Sequence, residues 1–192
     1  MCVGGAKYVI GEAANYAKQR QQFGVPIATF GAIKHKIGEM TVRAYAVESL
    51  LYRLGGLIDI TIAALHEEGH AAALRHALDE YSIEASIAKV AGSELTDFVV
   101  DENVQIHGGN GFVRDYPAER HQRDARVNRI FEGTNEINRL LIPGMLMRKA
   151  LKGDLALIPA AKRLFDEIMT PSMAEPPGEG LLEAEQMAVS AF

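Results

Sequence analysis

Residues 31–60 read GAIKHKIGEMTVRAYAVESLLYRLGGLIDI, and their apolar side chains recur at alternating intervals of four and three residues. A repeat of about 3.5 residues places one continuous apolar stripe along a helix, which needs partner helices of similar length. Such a stripe is typical of helices that cross at shallow angles in a bundle. The stripe consists of Ile33, Ile37, Met40, Ala44, Val47, Leu51, Leu54 and Ile58.

Helical spacing continues on both sides of this stripe. Upstream, apolar residues from Val3 to Ala17 predict a helix that begins at the first residues. Because no capping residue precedes it, we expect the chain to have been cut from a longer protein. Downstream, residues 83–98 predict a helix that ends near Asn103.

Glycine and proline residues mark the predicted helix boundaries in the second half of the chain. Residues 105–116 are rich in glycine and are predicted to be irregular, whereas Pro117 suits the first turn of a helix that runs to about Phe131. The sequence EGTN at residues 132–135 then interrupts the pattern, and its Thr or Asn can cap a further helix, which Pro143 should kink. No long strand-like alternation is present, so the predicted class is all-α.

Composition narrows the range of functions. The 192 residues are 48% hydrophobic and 23% charged, with a formal net charge of −5. These values are ordinary for a soluble domain and provide no broad cationic field for nucleic acid. The single cysteine, Cys2, cannot form an internal disulfide, which fits a reducing compartment. No apolar stretch is long enough for a transmembrane segment.

Two segments suit the binding of an anionic, partly apolar ligand. In QRQQFG, residues 19–24, a guanidinium and two amides stand beside an aromatic ring, although Arg20 at a solvated helix end is the alternative. In QIHGGNGF, residues 105–112, paired glycines let a backbone approach phosphate oxygens. This second segment lacks the ending of a P-loop and follows a helix, so a simple interhelical turn fits it equally well.

A third segment, IFEGTNE at residues 130–136, places the carboxylate of Glu132 between two helices and next to Phe131. Apolar surroundings are expected to raise the pKa of a carboxyl group, which suits a general base. The alternative is that Glu132 stabilises the following helix through its dipole.

The sequence HEEGH, residues 66–70, matches the His-Glu-x-x-His pattern of zinc metalloproteases. Gly69 weakens the required helix, the surroundings indicate a polar connection, and no third ligand follows at a recognisable spacing. We therefore predict no metal site.

In order and content these segments resemble the C-terminal domain of the acyl-CoA dehydrogenase flavoenzymes over residues 3–151. The family motifs Arg-x-x-Phe-Gly, Gln-x-x-Gly-Gly-x-Gly-Phe/Tyr, Arg-Asp-Ala and Tyr/Phe-Glu-Gly-Thr match residues 20–24, 105–112, 123–125 and 131–134. The resemblance implies a four-helix up-down bundle over residues 1–153. Residues 154–192 look like a further helix, a linker and the start of the C-terminal extension of the very-long-chain type.

The resemblance also implies FAD as cofactor, and each residue keeps the role of the family position that it matches. Glu132 is then the base that removes the α-proton of acyl-CoA, and its amide holds the thioester carbonyl while a hydride leaves to the flavin. The product is a trans-2-enoyl-CoA. Glu132 and Gly133 are expected to contact the substrate, and Thr134 the FAD of its own subunit; the role of Glu136 is not transferred. The neighbouring subunit's FAD is expected to contact Arg20, Gln22, Phe23, Ile27, Ile33, Gln105, Gly108 and Gly109.

The implied setting is fatty acid β-oxidation, in the cytoplasm of a bacterium or the mitochondrial matrix of a eukaryote. The implied partners are acyl-CoA, an electron-transfer flavoprotein and further copies of the chain in a homodimer or homotetramer. One alternative is an acyl-CoA oxidase or another superfamily member, in which oxygen reoxidises the flavin. The other is a non-catalytic helical oligomerisation module, since the chain contains no candidate β-domain.

Overall fold

The computed structural model describes residues 1–170 and consists almost entirely of helices. The all-α class is therefore confirmed, while the predictions for residues 171–192 lie outside the described residues. The α-helices are α1 (Cys2–Gln19), α2 (Gly31–Ala64), α3 (His70–Glu80), α4 (Ser82–His107), α5 (Ala118–Ala125), α6 (Asn135–Lys152) and α7 (Leu157–Met169). Short 3-10 helices cover Ile27–Thr29, His66–Glu68, Gly108–Phe112 and Arg126–Arg129.

Helices α1 and α4 run parallel. The Thr96 hydroxyl donates to the Cys2 carbonyl at 3.3 Å near one end, and the Tyr16 hydroxyl donates to the His107 carbonyl at 3.2 Å near the other. Small residues allow this close packing, because a Cβ placed on Gly92 would lie 3.4 Å from the Cys2 Cβ.

Helices α2 and α6 run in the opposite direction to α1 and α4. Lys36, early in α2, pairs with Glu102, late in α4. Asn135, at the start of α6, bonds to Ser93, and Met145 lies 4.0 Å from the Ser82 hydroxyl, near the start of α4. The four helices therefore alternate in direction, which confirms the predicted up-down bundle.

The predicted stripe of α2 faces the core of this bundle. Met40 is fully buried, Ala44 is buried, and Ile33, Ile37 and Val47 pack against the same cluster. Burial of these side chains is the main stabilising term, and truncating a buried methionine to alanine typically costs about 2–5 kcal/mol. The other buried members of the core are Val3, Ala6, Val9, Ala13, Ala17, Ile27, Leu95, Val99, Val100, Ile106 and Ala125.

Several helix boundaries differ from the predicted ones. The helix predicted to end near Asn103 continues to His107, because Gly108, with a φ of 59°, supplies the left-handed residue that ends it. The segment predicted to be irregular is therefore helical as far as Phe112, because a 3-10 helix over Gly108–Phe112 follows α4. The helix after Pro117 ends at Ala125 and gives way to a 3-10 turn. Helix α6 runs through Pro143, and its kink stays a prediction.

A short hairpin was not predicted. Strand β1 (Gln21–Gln22) pairs antiparallel with β2 (Val25–Pro26). The two residues between them, Phe23 and Gly24, have φ values of 53° and 81°. Positive φ at both central positions is the requirement of a type I′ turn, and strands this short leave no alternation in the sequence.

The chain separates into two compact units, Met1–Leu146 and the residues from Met147 onward. The predicted division after residue 153 stays a prediction. In the second unit, α7 leaves its larger apolar side chains exposed, with Phe165 and Ile168 more than half accessible.

Candidate functional site

The candidate residues lie at two places along α4, its C-terminal end and its middle. Tyr16 and His107 stack with their ring centroids 3.9 Å apart, which brings the end of α1 next to the end of α4. The hairpin that follows α1 and the glycine loop that follows α4 therefore lie at the same end of the bundle. We call residues 20–26 and 105–112 the hairpin end.

The hairpin end presents much of its predicted contact surface outward. Phe23 is 93% exposed and Phe112 is 86% exposed. Aromatic side chains are rarely so exposed on a surface that binds nothing. Arg20, Gln22 and Gln105 are exposed as well. An exposed cation beside exposed rings suits a ligand that is anionic and flat.

The glycines of this loop have different roles. A Cβ added to Gly108 or Gly109 would meet nothing within 4 Å, so the backbone there is open to a ligand. A Cβ on Gly111 would lie 2.5 Å from the Val104 carbonyl oxygen. Gly111 is therefore required for packing the loop on α4.

Two predicted cofactor contacts have side chains that are used mainly for packing. Ile27 is 8% exposed and belongs to the core, and Ile33 is half-buried against it. Their predicted contacts with FAD stay predictions.

The candidate base lies beside the middle of α4, near Lys89 and Ser93. Glu132 has a φ of 55° and Gly133 a φ of 79°, so two consecutive residues adopt the left-handed conformation. A non-glycine residue in this region is uncommon and marks a strained backbone. We call residues 130–138 the turn end.

Side chains from α4 and α6 hold the backbone of the turn end. The Lys89 ammonium donates to the Gly133 carbonyl at 2.7 Å and to Asn135 Oδ1 at 2.8 Å. Asn138 Nδ2 donates to the same Gly133 carbonyl at 2.9 Å. The Ile137 amide donates to the Thr134 hydroxyl at 3.3 Å, so Thr134 caps α6 as predicted.

Asn135 connects α6 to α4 from a position that is 1% exposed. Its amide nitrogen donates to Ser93 Oγ at 2.9 Å and to Glu94 Oε1 at 3.3 Å. Arg139 pairs with the same Glu94 carboxylate at 2.7 Å, and this partner raises the pKa of the Arg139 guanidinium. The start of α6 is thus fixed at several points along α4.

The carboxylate of Glu132 takes no part in these bonds. It is exposed, and within the described residues it accepts no hydrogen bond. It lines a groove of about 410 Å³ together with Phe131 and the mostly apolar side chains of Leu51, Leu54 and Ala88. A carboxylate that is free on a fixed backbone, beside apolar surface, can act as a general base.

Glu136, four residues later, is engaged instead. It lies in the first turn of α6, where hydrogen bonds from its own amide and from Thr134 lower its pKa, assisted by Arg129 and Arg126. The charge that favours the N-terminus of α6 is therefore supplied by Glu136.

Spacing in the sequence did not identify Lys89 and Asn138 as part of this site, and it suggested Asn135 only as a helix cap. The available signal was polarity within otherwise apolar helical stretches, since a buried polar group requires a partner. Lys89 stands between buried Ala88 and buried Val90, where such a partner is expected.

Other kinds of site are not supported within residues 1–170. His66 and His70 lie in different helical elements, separated by Gly69 with a φ of 88°, so they do not share a helix face. No group of three or more His, Cys, Asp or Glu side chains in this part of the chain is placed to hold a metal ion. None of its helices is both long and apolar enough to cross a membrane.

Comparison with known proteins agrees with this arrangement. A family model described as the acyl-CoA dehydrogenase C-terminal domain matches residues 1–146. A Bacillus subtilis (strain 168) protein named probable acyl-CoA dehydrogenase is 48% identical over 189 residues, or 97% of this chain and 32% of that protein. The very long-chain specific acyl-CoA dehydrogenase, mitochondrial, of Rattus norvegicus is 38% identical over 139 residues, or 72% of this chain and 19% of that protein.

Among solved structures, the acyl-CoA dehydrogenase complexed with FAD from Bacillus anthracis matches with a TM-score of 0.85 and 48% identity. The match covers 92% of this chain and 30% of that chain. The present chain thus spans about a third of the length of that relative, or less in the rat enzyme. Both the family model and these relatives extend over most of its residues, and the chain therefore belongs to the acyl-CoA dehydrogenase family.

Proposed function

We propose that this chain is the part of an FAD-dependent acyl-CoA dehydrogenase in which Glu132 removes the α-proton of the acyl-CoA substrate. The product is a trans-2-enoyl-CoA, and the reaction belongs to fatty acid β-oxidation. The observation that carries the proposal is the free Glu132 carboxylate on a fixed, left-handed turn beside an apolar groove. The activity is that of the whole protein, because its relatives are about three times longer.

The hairpin end fits FAD. The exposed Arg20 guanidinium suits a pyrophosphate, and the open backbone at Gly108 and Gly109 suits the close approach of a flat, anionic group. Arg20, Gln22, Phe23, Gln105, Gly108 and Gly109 would hold the FAD of a neighbouring subunit, and Thr134 that of its own. Bound FAD supplies the acceptor for the hydride that leaves the substrate β-carbon.

At the turn end, two groups of Glu132 act on the substrate, its carboxylate and its backbone amide. The carboxylate takes the α-proton. The backbone amide, which makes no hydrogen bond within the described residues, is free to donate to the thioester carbonyl. Such a donor stabilises the negative charge that develops on that oxygen and makes the α-proton more acidic. Gly133 extends the same surface toward the substrate.

The test uses the full-length, FAD-loaded protein mixed anaerobically with acyl-CoA. We expect loss of the oxidised flavin absorbance, and we expect Glu132→Gln to slow it on the order of a hundredfold to ten-thousandfold while the flavin stays bound. Glu136→Gln is a matched control, because it makes the same change four residues away. Flavin reduction at the wild-type rate in Glu132→Gln would remove the catalytic assignment.

We further propose an electron-transfer flavoprotein as the electron acceptor and a very-long-chain-like subtype of the family, which carries a C-terminal helical extension. The name of the rat relative supports the subtype. The match to the B. subtilis relative supports the extension, because it continues beyond residue 153. Reoxidation of the reduced protein should be fast with an electron-transfer flavoprotein and slow with oxygen. The reverse order would favour an oxidase instead.

The proposed assembly is a homodimer or homotetramer, placed in the cytoplasm of a bacterium or the mitochondrial matrix of a eukaryote. The outward side of α2 supports association, since Val42, Tyr45, Tyr52 and Ile60 are each more than three-fifths exposed. Light scattering on the full-length protein tests it, and a monomer would contradict it. The 192-residue chain by itself is expected to be inactive and nearly free of flavin.

A further inference from the structure

Lys89 occupies an unusual position for a lysine. It lies on α4, partly buried, and its ammonium reaches across to the turn end. Desolvating an ammonium is unfavourable unless hydrogen bonds replace the lost water. Both of its acceptors belong to the turn end, the Gly133 carbonyl and the Asn135 side chain.

The Gly133 carbonyl belongs to the peptide that joins Gly133 to Thr134, one peptide after the candidate base. It accepts from Lys89 at 2.7 Å and from Asn138 at 2.9 Å, one donor from each of the two helices beside the turn. Two donors on one carbonyl fix the orientation of its peptide plane. Since Glu132 precedes this peptide and its own side chain has no bond, this anchor limits the directions in which the carboxylate can point.

We propose that Lys89 is a positioning residue for the general base. It holds the Gly133 carbonyl, and thereby keeps Glu132 in the left-handed conformation that directs the carboxylate along the groove. The inference rests on the proposed function of Glu132. It assigns Lys89 a role in geometry, because the structure gives it no direct bond to the reacting group.

The alternative is that Lys89 merely attaches α6 to α4. Another pair already does this outside the turn end, namely Arg139 with Glu94 at 2.7 Å. Arg139→Met therefore provides a matched control, since it removes a cationic link between the same two helices and leaves the Gly133 carbonyl held.

The experiment compares Lys89→Met, Lys89→Arg and Arg139→Met in the full-length, FAD-loaded protein. Flavin content, the rate of anaerobic flavin reduction at saturating acyl-CoA and the half-saturating acyl-CoA concentration are measured for each. Amide hydrogen exchange of the peptide covering residues 130–138 gives a readout that does not depend on turnover.

We expect Lys89→Met to keep its flavin and the wild-type half-saturating acyl-CoA concentration. Its flavin should be reduced on the order of 10- to 100-fold more slowly, as for a misplaced catalytic group. Its peptide over residues 130–138 should exchange faster. Lys89→Arg should restore most of the rate, and Arg139→Met should stay near wild type.

Wild-type rates in a flavin-loaded Lys89→Met protein would overturn the inference. So would equal losses in Lys89→Met and Arg139→Met, which would indicate a structural link only. If Lys89→Met does not fold, Asn138→Ala removes the second donor to the same carbonyl, and an unchanged rate there would overturn the inference as well. Failure of any acyl-CoA to reduce the wild-type flavin would instead refute the proposed function, and amide exchange would still decide whether Lys89 holds the turn.

Discussion

The hairpin end and the turn end are prepared for a ligand in opposite ways. At the hairpin end, aromatic rings and glycine backbone are exposed, and Phe23 and Phe112 contact little of their own chain. At the turn end, Lys89 and Asn138 both bond the Gly133 carbonyl, just after Glu132, and Lys89 also bonds the Asn135 side chain. Along α4, Lys89 beside the turn end and His107 at the hairpin end are about 27 Å apart, at about 1.5 Å per residue.

This difference matches the two tasks proposed for the domain. Holding a large cofactor requires contact area and charge, and such a surface is completed only when the cofactor and its other protein partner are present. Removing a proton requires one atom at a defined place, which a bonded backbone supplies before the substrate arrives. Separate tasks predict that mutations at the two ends affect different measured quantities.

Among the variants that test the difference between the two ends, we expect the largest effect, a loss of flavin affinity, for Arg20→Ala. If its guanidinium bonds the pyrophosphate of FAD, its loss removes a charged hydrogen bond worth about 1.5–3 kcal/mol, or roughly 10- to 100-fold in flavin affinity. The rate of flavin reduction per bound flavin should remain unchanged. Flavin retained after dialysis and anaerobic reduction rates are the measurements.

Lys18→Ala provides the control for Arg20→Ala. Lys18 lies in the last turn of α1 and carries the same charge two residues earlier, on an exposed surface. Flavin content should stay at the wild-type level in this variant. A slower reductive step in Arg20→Ala with full flavin content would break the division between the two ends.

A smaller effect is expected for Gly133→Ala, compared with Gly24→Ala. Both glycines have φ close to 80°, but an added Cβ meets Asn138 Nδ2 at 3.2 Å in the first and nothing within 4 Å in the second. Each variant should lose about 1–3 kcal/mol of stability from backbone strain. Only Gly133→Ala should also slow flavin reduction, because it displaces the Asn138 amide from the Gly133 carbonyl.

Thermal unfolding and anaerobic reduction together test this pair. Equal reduction rates in the two alanine variants would mean that the crowding around Gly133 has no consequence for the base. In that case the hydrogen bonds of the turn end would stabilise the fold without directing Glu132.

The sequence was sufficient to predict the bundle, because the stripe of α2 and the alanines of α1 repeat with a helical period over many residues. Motifs that follow one another in order also singled out Glu132 and the segments of the hairpin end as candidates, and their roles stay predictions. Helix ends were less predictable, since the extra turn of α4 depends on where Gly108 adopts a positive φ. The bonds of Lys89 join residues that are 44 and 46 positions apart, and no local pattern contains that information.

The smallest effect is expected for Glu136→Gln. The informative quantity is the sign of the change of its Tm difference with pH. Hydrogen bonds from the Glu136 amide and from Thr134 lower the pKa of Glu136 below its ordinary value of 4.5, and Arg129 and Arg126 add to this. A carboxyl group with a depressed pKa stabilises the folded state above its unfolded pKa, and this stabilisation is lost as the pH falls through the folded pKa. Glu136→Gln should therefore lower the Tm slightly at neutral pH, with a difference that shrinks below pH 4.5.

Added salt should reduce the same difference in Tm, since Glu136 is exposed and the contributions of Arg126 and Arg129 are screened. Flavin reduction by acyl-CoA should remain near the wild-type rate at every pH, in contrast to Glu132→Gln. Thermal unfolding of the full-length protein from neutral pH down to its acid limit, at low and high salt, is the measurement. A Tm difference that grows as the pH falls would show that Glu136 is not stabilised as an anion at the start of α6. A strong loss of flavin reduction in Glu136→Gln would show that the two glutamates of the turn end share the chemistry.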